Sequence, residues 1–337
     1  MRTYELAGGL SLDHLKIAER PVPSPGPREV RIKLRAVALN YRDLGVISGF
    51  YAPDLPLPFT PVSDGVGEIV EIGEAVTRFK LGDRVSGIFT QQWLTGPPER
   101  RYASSTLGSP LPGLLAEYVI LNENGLVSVP GYLSDSEAAA LPCAGVTAWH
   151  AIVSEGRVKA GDTVVVQGTG GVSLFALQFA KLHGATVIVT SSSDEKLARA
   201  VALGADHGIN YRSNPDWDQA VLSITDGVGA DHVLDVGGAA TLDRSVNAVR
   251  TGGRVSIVGI LSGARANNLD LIAVLQKKIT LQGINVGSRA MFEAMNAALA
   301  AGRVHPVIDS VFPFEEAVNA LRRLEQGTHF GKIVIAI

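Results

Sequence analysis

Gly168-Thr169-Gly170-Gly171-Val172-Ser173 is the stretch whose residue types and spacing point most directly to chemistry. Glycines at this density let a backbone turn tightly and approach another group closely. Thr163-Val164-Val165-Val166-Gln167 precedes them as a short apolar strand, and 174–181 follows with helical apolar spacing. A second apolar run, Ala185 to Thr190, completes a strand–turn–helix–strand unit. In that setting the hexapeptide reads as a dinucleotide fingerprint. Gly168 allows the turn and Gly170 admits a pyrophosphate. The helix start at Gly171 and Val172 then offers free N–H groups and a partial positive charge. Ser173 stands where Gly or Ala is usual; it is small enough to pack, and its hydroxyl can bond back into the helix.

The end of the second strand selects the cofactor. An acidic side chain there would bind a ribose 2′-hydroxyl and repel a 2′-phosphate. This chain has Ser191-Ser192-Ser193, followed by Asp194. Ser192 with Glu195 reads as a capping box, which places Asp194 in the first helical turn and its charge on the helix dipole. Ser191 and Ser192 are free to donate to a phosphate. NADPH is the expected cofactor.

These motifs need a scaffold, and the chain is long enough for one. Its 337 residues can form two domains, and a 46% hydrophobic content is that of a globular protein. A net charge of −3 without long charge runs gives no reason to expect a nucleic-acid or membrane partner. No segment has the length of a membrane span or a signal core, so a cytoplasmic protein is expected. The lone Cys143 excludes an internal disulfide and a multi-cysteine metal cage.

Residues 1–120 read as β-rich. Glu29 to Val37 alternates charged and apolar side chains, Asp64 to Gly73 suggests a bent strand, and Gly82-Asp83-Arg84-Val85 a turn into another. Pro21 to Pro27 cannot be a strand interior, and 91–113 reads as a long surface loop. From about 130, strand and helix patterns alternate, implying βαβ units and a parallel sheet. Candidate strands are 163–167, 185–190, 206–210, 231–236, 253–259 and 279–284. Helices follow at Met291 to Ala301 and near Phe314 to Glu325, then a last strand at Lys332 to Ile337.

Several segments together resemble the medium-chain dehydrogenase/reductase superfamily, and within it the zinc-independent quinone oxidoreductase-like branch. They are Ala38-Leu39-Asn40-Tyr41-Arg42-Asp43, Pro61-Val62-Ser63-Asp64-Gly65-Val66-Gly67, Leu141-Pro142-Cys143-Ala144-Gly145-Val146-Thr147-Ala148-Trp149, the hexapeptide, and Leu203-Gly204-Ala205-Asp206 with Ile209-Asn210-Tyr211-Arg212. The resemblance implies an α/β protein with a GroES-like β-rich domain at 1–128, completed by 290–337. A doubly wound, six-stranded parallel Rossmann sheet is expected at 129–289, with the active cleft between the two. It also implies that Lys196 and Tyr211 hold the 2′-phosphate and that Thr147 lies near the nicotinamide amide. Val258-Gly259-Ile260-Leu261 would line the nicotinamide, Asn285-Val286 close its pocket, and Phe330-Gly331-Lys332 return the C-terminus to the cofactor.

Zinc-using relatives hold their metal with cysteine, histidine and cysteine. The aligned positions here are Asn40, Ser63 and Cys143, a poor zinc set, and no metal is expected. Cys143 reads as a packing residue. Without a Lewis acid, the favoured acceptor is one that spreads negative charge itself, such as a quinone or an α,β-unsaturated carbonyl. Asn40 could donate to the developing oxyanion and Tyr41 could donate a proton; each is equally readable as structural, Asn40 as a cap and Tyr41 as a partly buried ring. Phe50, Tyr51, Phe59 and Trp93 are candidate substrate walls, with core packing as the alternative. Two other functions stay open: a cofactor-binding structural or sensory protein with little turnover, and a metal-free NADP-dependent alcohol dehydrogenase. The apolar sixth strand, Ile279-Thr280-Leu281-Gln282, would be an exposed edge, which suggests a homodimer.

Overall fold

A computed structural model describes residues 1–337. Its contacts divide the chain into two units, Met1–Val146 with Val286–Ile337, and Thr147–Asn285. In the first unit β1 (Arg2–Leu6) and β2 (Leu15–Glu19) form an antiparallel ribbon. The long strand β3 (Glu29–Ala38) buries Val30, Ile32 and Leu34 while Lys33 and Arg35 stay in solvent, as its alternating sequence requires. After α1 (Tyr41–Ile47), β4 (Asp64–Ile72) pairs antiparallel with β3 through two register shifts, the bent strand expected from its glycines. A Cβ at Gly67 would lie 2.4 Å from the Lys33 carbonyl, so only glycine fits there. β5 (Arg84–Gly87), β6 (Tyr118–Asn122), β7 (Leu126–Ser128) and α2 (Asp135–Ala139) follow.

The segment 91–113 is not the simple surface loop its composition suggests. Trp93, Ser105, Thr106 and Leu107 are buried, Thr90 and Thr106 form an isolated bridge, and Arg100–Ser105 is a 3-10 helix. Polar composition there reflects the exposed stretch around 95–101, not the whole segment.

The second unit starts within α3 (Val146–Trp149), a short helix flanked by π-helical turns. Then come β8 (Thr163–Gln167), α4 (Gly171–Leu182), β9 (Thr186–Ser191), α5 (Asp194–Ala202), β10 (His207–Asn210), α6 (Trp217–Ile224), β11 (Ala230–Asp235), α7 (Leu242–Ala248), β12 (Val249–Ile257), α8 (Leu271–Gln276) and β13 (Thr280–Gly283). All six strands are parallel, in the order β10-β9-β8-β11-β12-β13. This is the doubly wound order, and the winding reverses at β8. The central strands are apolar throughout because helices cover both faces; Val164, Val165 and Val166 are wholly buried.

The chain then returns to the first unit through α9 (Arg289–Gly302), β14 (Ile308–Pro313), α10 (Ala317–Glu325) and β15 (Lys332–Ala336). β14 has no counterpart among the expected strands; none of its six residues is buried, so its apolar pattern is weak. The sheet runs β14-β15-β3-β4-β5-β7, with β6 also on β3. Residues 129–146 group with this unit, although the helical pattern after 130 suggests the second. Tyr132 donates to the Leu299 and Val304 carbonyls, and Arg84 donates to Leu133 and Asp135. No helix is long and apolar enough to cross a membrane.

One buried carboxylate organises the carboxyl edge of the parallel sheet. Asp235, fully buried at the end of β11, accepts from Ser245 Oγ at 2.6 Å, Thr241 Oγ1 at 2.8 Å, Gly238 N at 2.8 Å and Gln167 Nε2 at 3.2 Å. It ties β8, β11 and α7 together where the winding reverses. Asp235→Ala strands these donors without an acceptor and should cost about 3–5 kcal/mol in urea unfolding.

Candidate functional site

The glycine turn sits at the end of β8. Gly168 has φ +73, the conformation that favours glycine, and its N–H donates to the Thr190 carbonyl at 2.8 Å. Gly170 is the N-cap of α4 and makes no side-chain cap bond, and a Cβ on it would meet nothing within 4 Å. An open glycine face beside an uncapped helix start is what an approaching pyrophosphate requires. Gly171 and Val172 form that first turn, and Thr169 is buried just before it. Ser173 Oγ donates to the Gln167 carbonyl at 2.7 Å. It therefore bonds across the turn to the strand, not into its own helix, because the strand's last carbonyl is within reach of the first helical turn.

The crest beside this turn carries the serines. The N-cap of α5 is Ser193, not Ser192: Ser193 Oγ accepts the Lys196 N–H at 3.3 Å. The expected box with Glu195 is one residue out of phase, since Ser192 is still leaving the strand. Asp194 nonetheless falls in the first turn. Its Oδ1 accepts from Asn210 Nδ2 at 2.7 Å, and Tyr211 N donates to the Ser191 carbonyl at 3.0 Å. Ser191 is buried, Ser192 and Lys196 are half-buried and Tyr211 is exposed. The β9–β10 pairing, Ser191 opposite Asn210, gathers all of them at one pair of strand ends.

Val258 and Gly259 leave β12 with their N–H groups on the Asp235 carbonyl, at 2.8 and 3.3 Å. A Cβ at Gly259 would lie 2.3 Å from the Val236 carbonyl, so the loops after β11 and β12 touch. Ile260 and Leu261 are exposed beyond them, and Thr147 is buried in α3. Asn285 ends the second unit and Val286, at φ +42, begins the return to the first. Phe330 is buried with its N–H on Asp309 Oδ1 at 2.8 Å, and Gly331 has φ +95.

The first unit holds a buried ionic cluster. Asn40 is the N-cap of α1, and its N–H donates to Asp43 Oδ2 at 2.7 Å. Its side-chain Oδ1 accepts from Lys332 Nζ at 2.6 Å, and the same ammonium donates to the Leu39 carbonyl. Lysine is a pure donor, so this contact fixes which way the Asn40 amide faces. Asn40 Nδ2 has no partner at hydrogen-bond distance, yet the amide lies close enough to Asp64 to hold that carboxyl down. Asp64 Oδ1 accepts from Ser63 Oγ at 2.8 Å and Oδ2 from the Cys143 N–H at 2.9 Å. Tyr41 is exposed on the first turn of α1.

Burial dominates the electrostatics of this cluster. It raises Asp43 to about 6, against the pull of Arg42, and it raises Asp64 against Lys332. It lowers Lys332, against Asp64, Cys143 and Asp43. Burial, followed by the Asp64 charge, pushes the Cys143 thiol up, so no reactive thiolate forms near neutral pH. Of the candidate wall residues, Phe59 and Trp93 are core, whereas Phe50 and Tyr51 are exposed and meet edge to face at 5.0 Å. Gln167, Asp235, Asp64 and the Asn210–Asp194 contact were not marked as functional by residue type. A polar Gln167 closing a strand with three successive valines is the one visible clue.

The profile of the zinc-binding dehydrogenase family matches residues 171–301, and that of the alcohol dehydrogenase GroES-like domain matches 26–131. A zinc-type alcohol dehydrogenase-like protein of Schizosaccharomyces pombe is 44% identical over 331 residues, covering 96% of each chain. The solved structure of an NAD-dependent alcohol dehydrogenase is 37% identical, with a TM-score of 0.92 and 100% of both chains covered. A Mus musculus quinone oxidoreductase is 29% identical, covering 100% of this chain and 97% of its own.

Two variants probe the cluster. Asp43 is harder to ionise folded than unfolded, so its contribution is complete below its ordinary 3.8 and lost as pH rises through about 6. That loss amounts to about 3 kcal/mol. Asp43→Asn keeps an acceptor for the Asn40 N–H, so denaturation midpoints followed from pH 4 to 7 should show a flatter decline than wild type. Lys332→Met leaves Asp64 and Asp43 without their buried cation and should cost about 3–5 kcal/mol at neutral pH.

Proposed function

Because this chain belongs to the medium-chain dehydrogenase/reductase superfamily of nicotinamide-dependent oxidoreductases, we propose that it reduces a quinone or α,β-unsaturated carbonyl, using NADPH and no metal. The observation that carries this reading is the seating of Lys332 in the ionic cluster. The aligned zinc positions do not suit the metal: the Asn40 oxygen is taken by an ammonium, Ser63 donates to Asp64, and the Cys143 thiol resists ionisation. No group of three or more His, Cys, Asp or Glu is arranged to hold an ion.

The nicotinamide supplies the hydride. Gly168 to Val172 and the start of α4 bind the pyrophosphate; Ser191, Ser192, Lys196 and Tyr211 hold the phosphorylated ribose. Thr147, Val258 to Leu261, Asn285, Val286, Phe330 and Gly331 orient the ring. Asn40, whose amide Nδ2 lies beside Asp64 without a partner at hydrogen-bond distance, would offer that N–H to the substrate oxygen, with Lys332 drawing electron density from its carbonyl side. A neutral donor of this kind suffices where the acceptor delocalises its own charge. Tyr41 is the adjacent hydroxyl for protonation.

A second reading is supported by the names of the relatives: oxidation of an alcohol, with NAD as cofactor in the solved structure cited above. NADPH oxidation with a quinone and a 2-enal, set against NADP- and NAD-linked alcohol oxidation and elemental analysis for zinc, separates the two. The proposal expects steady turnover with the conjugated acceptors and substoichiometric zinc. Lys196→Ala should weaken NADPH about tenfold and leave NADH within about twofold, measured by calorimetry.

The same reading includes a homodimer. β13 pairs on one side alone, and the nearby α8 exposes Leu271, Ile272 and Leu275. Light scattering should give a dimer mass, and Leu275→Glu should lower it.

A further inference from the structure

We propose that Asn210 sets cofactor preference by holding the Asp194 carboxylate away from the 2′-phosphate position. The inference rests on the NADPH reading above and adds a residue to it.

Asp194 is the one acidic side chain at the first position of α5, directly after the serine crest. Left to rotate, a carboxylate at this place serves as the acceptor that a 2′-hydroxyl wants and the repulsive charge that a 2′-phosphate avoids. The structure shows it restrained. Asn210 closes β10 opposite Ser191 in the register. Its Oδ1 accepts the Arg212 N–H at 3.0 Å, which settles the amide's orientation and turns Nδ2 toward Asp194. Nδ2 then donates to Asp194 Oδ1 at 2.7 Å. Ser193 Oγ accepts Lys196 N at 3.3 Å and caps the helix start. The neighbouring Tyr211 is anchored through its own N–H on Ser191.

Asn210 does not remove the charge; it fixes where the charge sits. The contact is exposed, so its effect on affinity is modest. A carboxylate that swings beside a doubly charged phosphate in water weakens binding by about tenfold. An NADH ribose, carrying a hydroxyl, would gain an acceptor from the same swing. A structural role for Asn210, through the β10 turn, would weaken both cofactors alike.

The test is a binding cycle with NADPH and NADH on four proteins: wild type, Asn210→Ala, Asp194→Asn and the double variant. Calorimetry, with no turnover required, is the readout. Asn210→Ala should weaken NADPH about tenfold and leave NADH equal or tighter. In the Asp194→Asn background the same change should alter NADPH affinity by less than about twofold. Equal losses for both cofactors, or an Asn210→Ala effect that persists without Asp194, overturns the proposal. Wild-type preference for NADH refutes the NADPH reading instead, and the coupling in the cycle still decides whether Asn210 restrains Asp194.

Discussion

A buried ammonium must be met by oxygen, and the first unit is arranged around that requirement. Lys332 lies 292 residues from Asn40 in sequence, yet its Nζ is held by the Asn40 amide oxygen and the Leu39 carbonyl. The bond joins the last strand to the first helix, so the chain must leave the unit, build a second one and return before the cluster exists. Strand pairing enforces the same closure: β15 lies between β14 and β3, with Val334 opposite Ala38. Removing the cation would expose two buried carboxylates to each other; removing the carboxylates would leave the cation unmatched. Groups of this kind stabilise weakly as a set and destabilise strongly when one is lost. Their value lies in fixing position, here the orientation of the Asn40 amide.

The second unit solves a similar problem with neutral donors. Parallel strands end together, and the loops that leave them carry backbone groups without sheet partners. Asp235 satisfies part of that edge through hydroxyls, an amide and one N–H. Ser173 satisfies another part by bonding the Gln167 carbonyl. The first turn of α4 is left unsatisfied. Free N–H groups at a helix start, beside a glycine with an open face, are what the proposed pyrophosphate site would use.

The central parallel strands were legible because strands buried on both faces must be apolar; the edge strands β10 and β13, partly exposed, were placed by the alternation of strand and helix around them. The glycine turn was legible because φ +73 at Gly168 favours glycine and the flanking strand and helix patterns frame it. β14 was not, since a strand half in solvent has little apolar pattern. The cap of α5 was misplaced by one residue among three serines, any of which can cap; Ser193 directly precedes the helix, whereas Ser191 ends β9 and Ser192 is the bend between them. Lys332 reads in sequence as a surface lysine or a cofactor contact. Its partners arrive from residues nearly three hundred positions away, and no local pattern encodes them. The same limit hid Asp64, whose ligands come from its neighbour Ser63 and from Cys143.

On the metal-free reading proposed above, a lysine-held amide in place of a metal ligand set has a chemical consequence. A metal meets an alkoxide with its full charge, directly, and so serves acceptors that localise charge on one oxygen. An ammonium that touches the substrate only through an intervening amide delivers a polarised N–H. Such a donor stabilises a localised alkoxide less than a directly bound cation would, and differential stabilisation is what accelerates a step. It is adequate for an enolate or hydroquinone anion, whose charge is already spread. On the proposed reading, a preference for conjugated acceptors would follow from where the positive charge is stored: one residue behind the reacting oxygen, inside the protein.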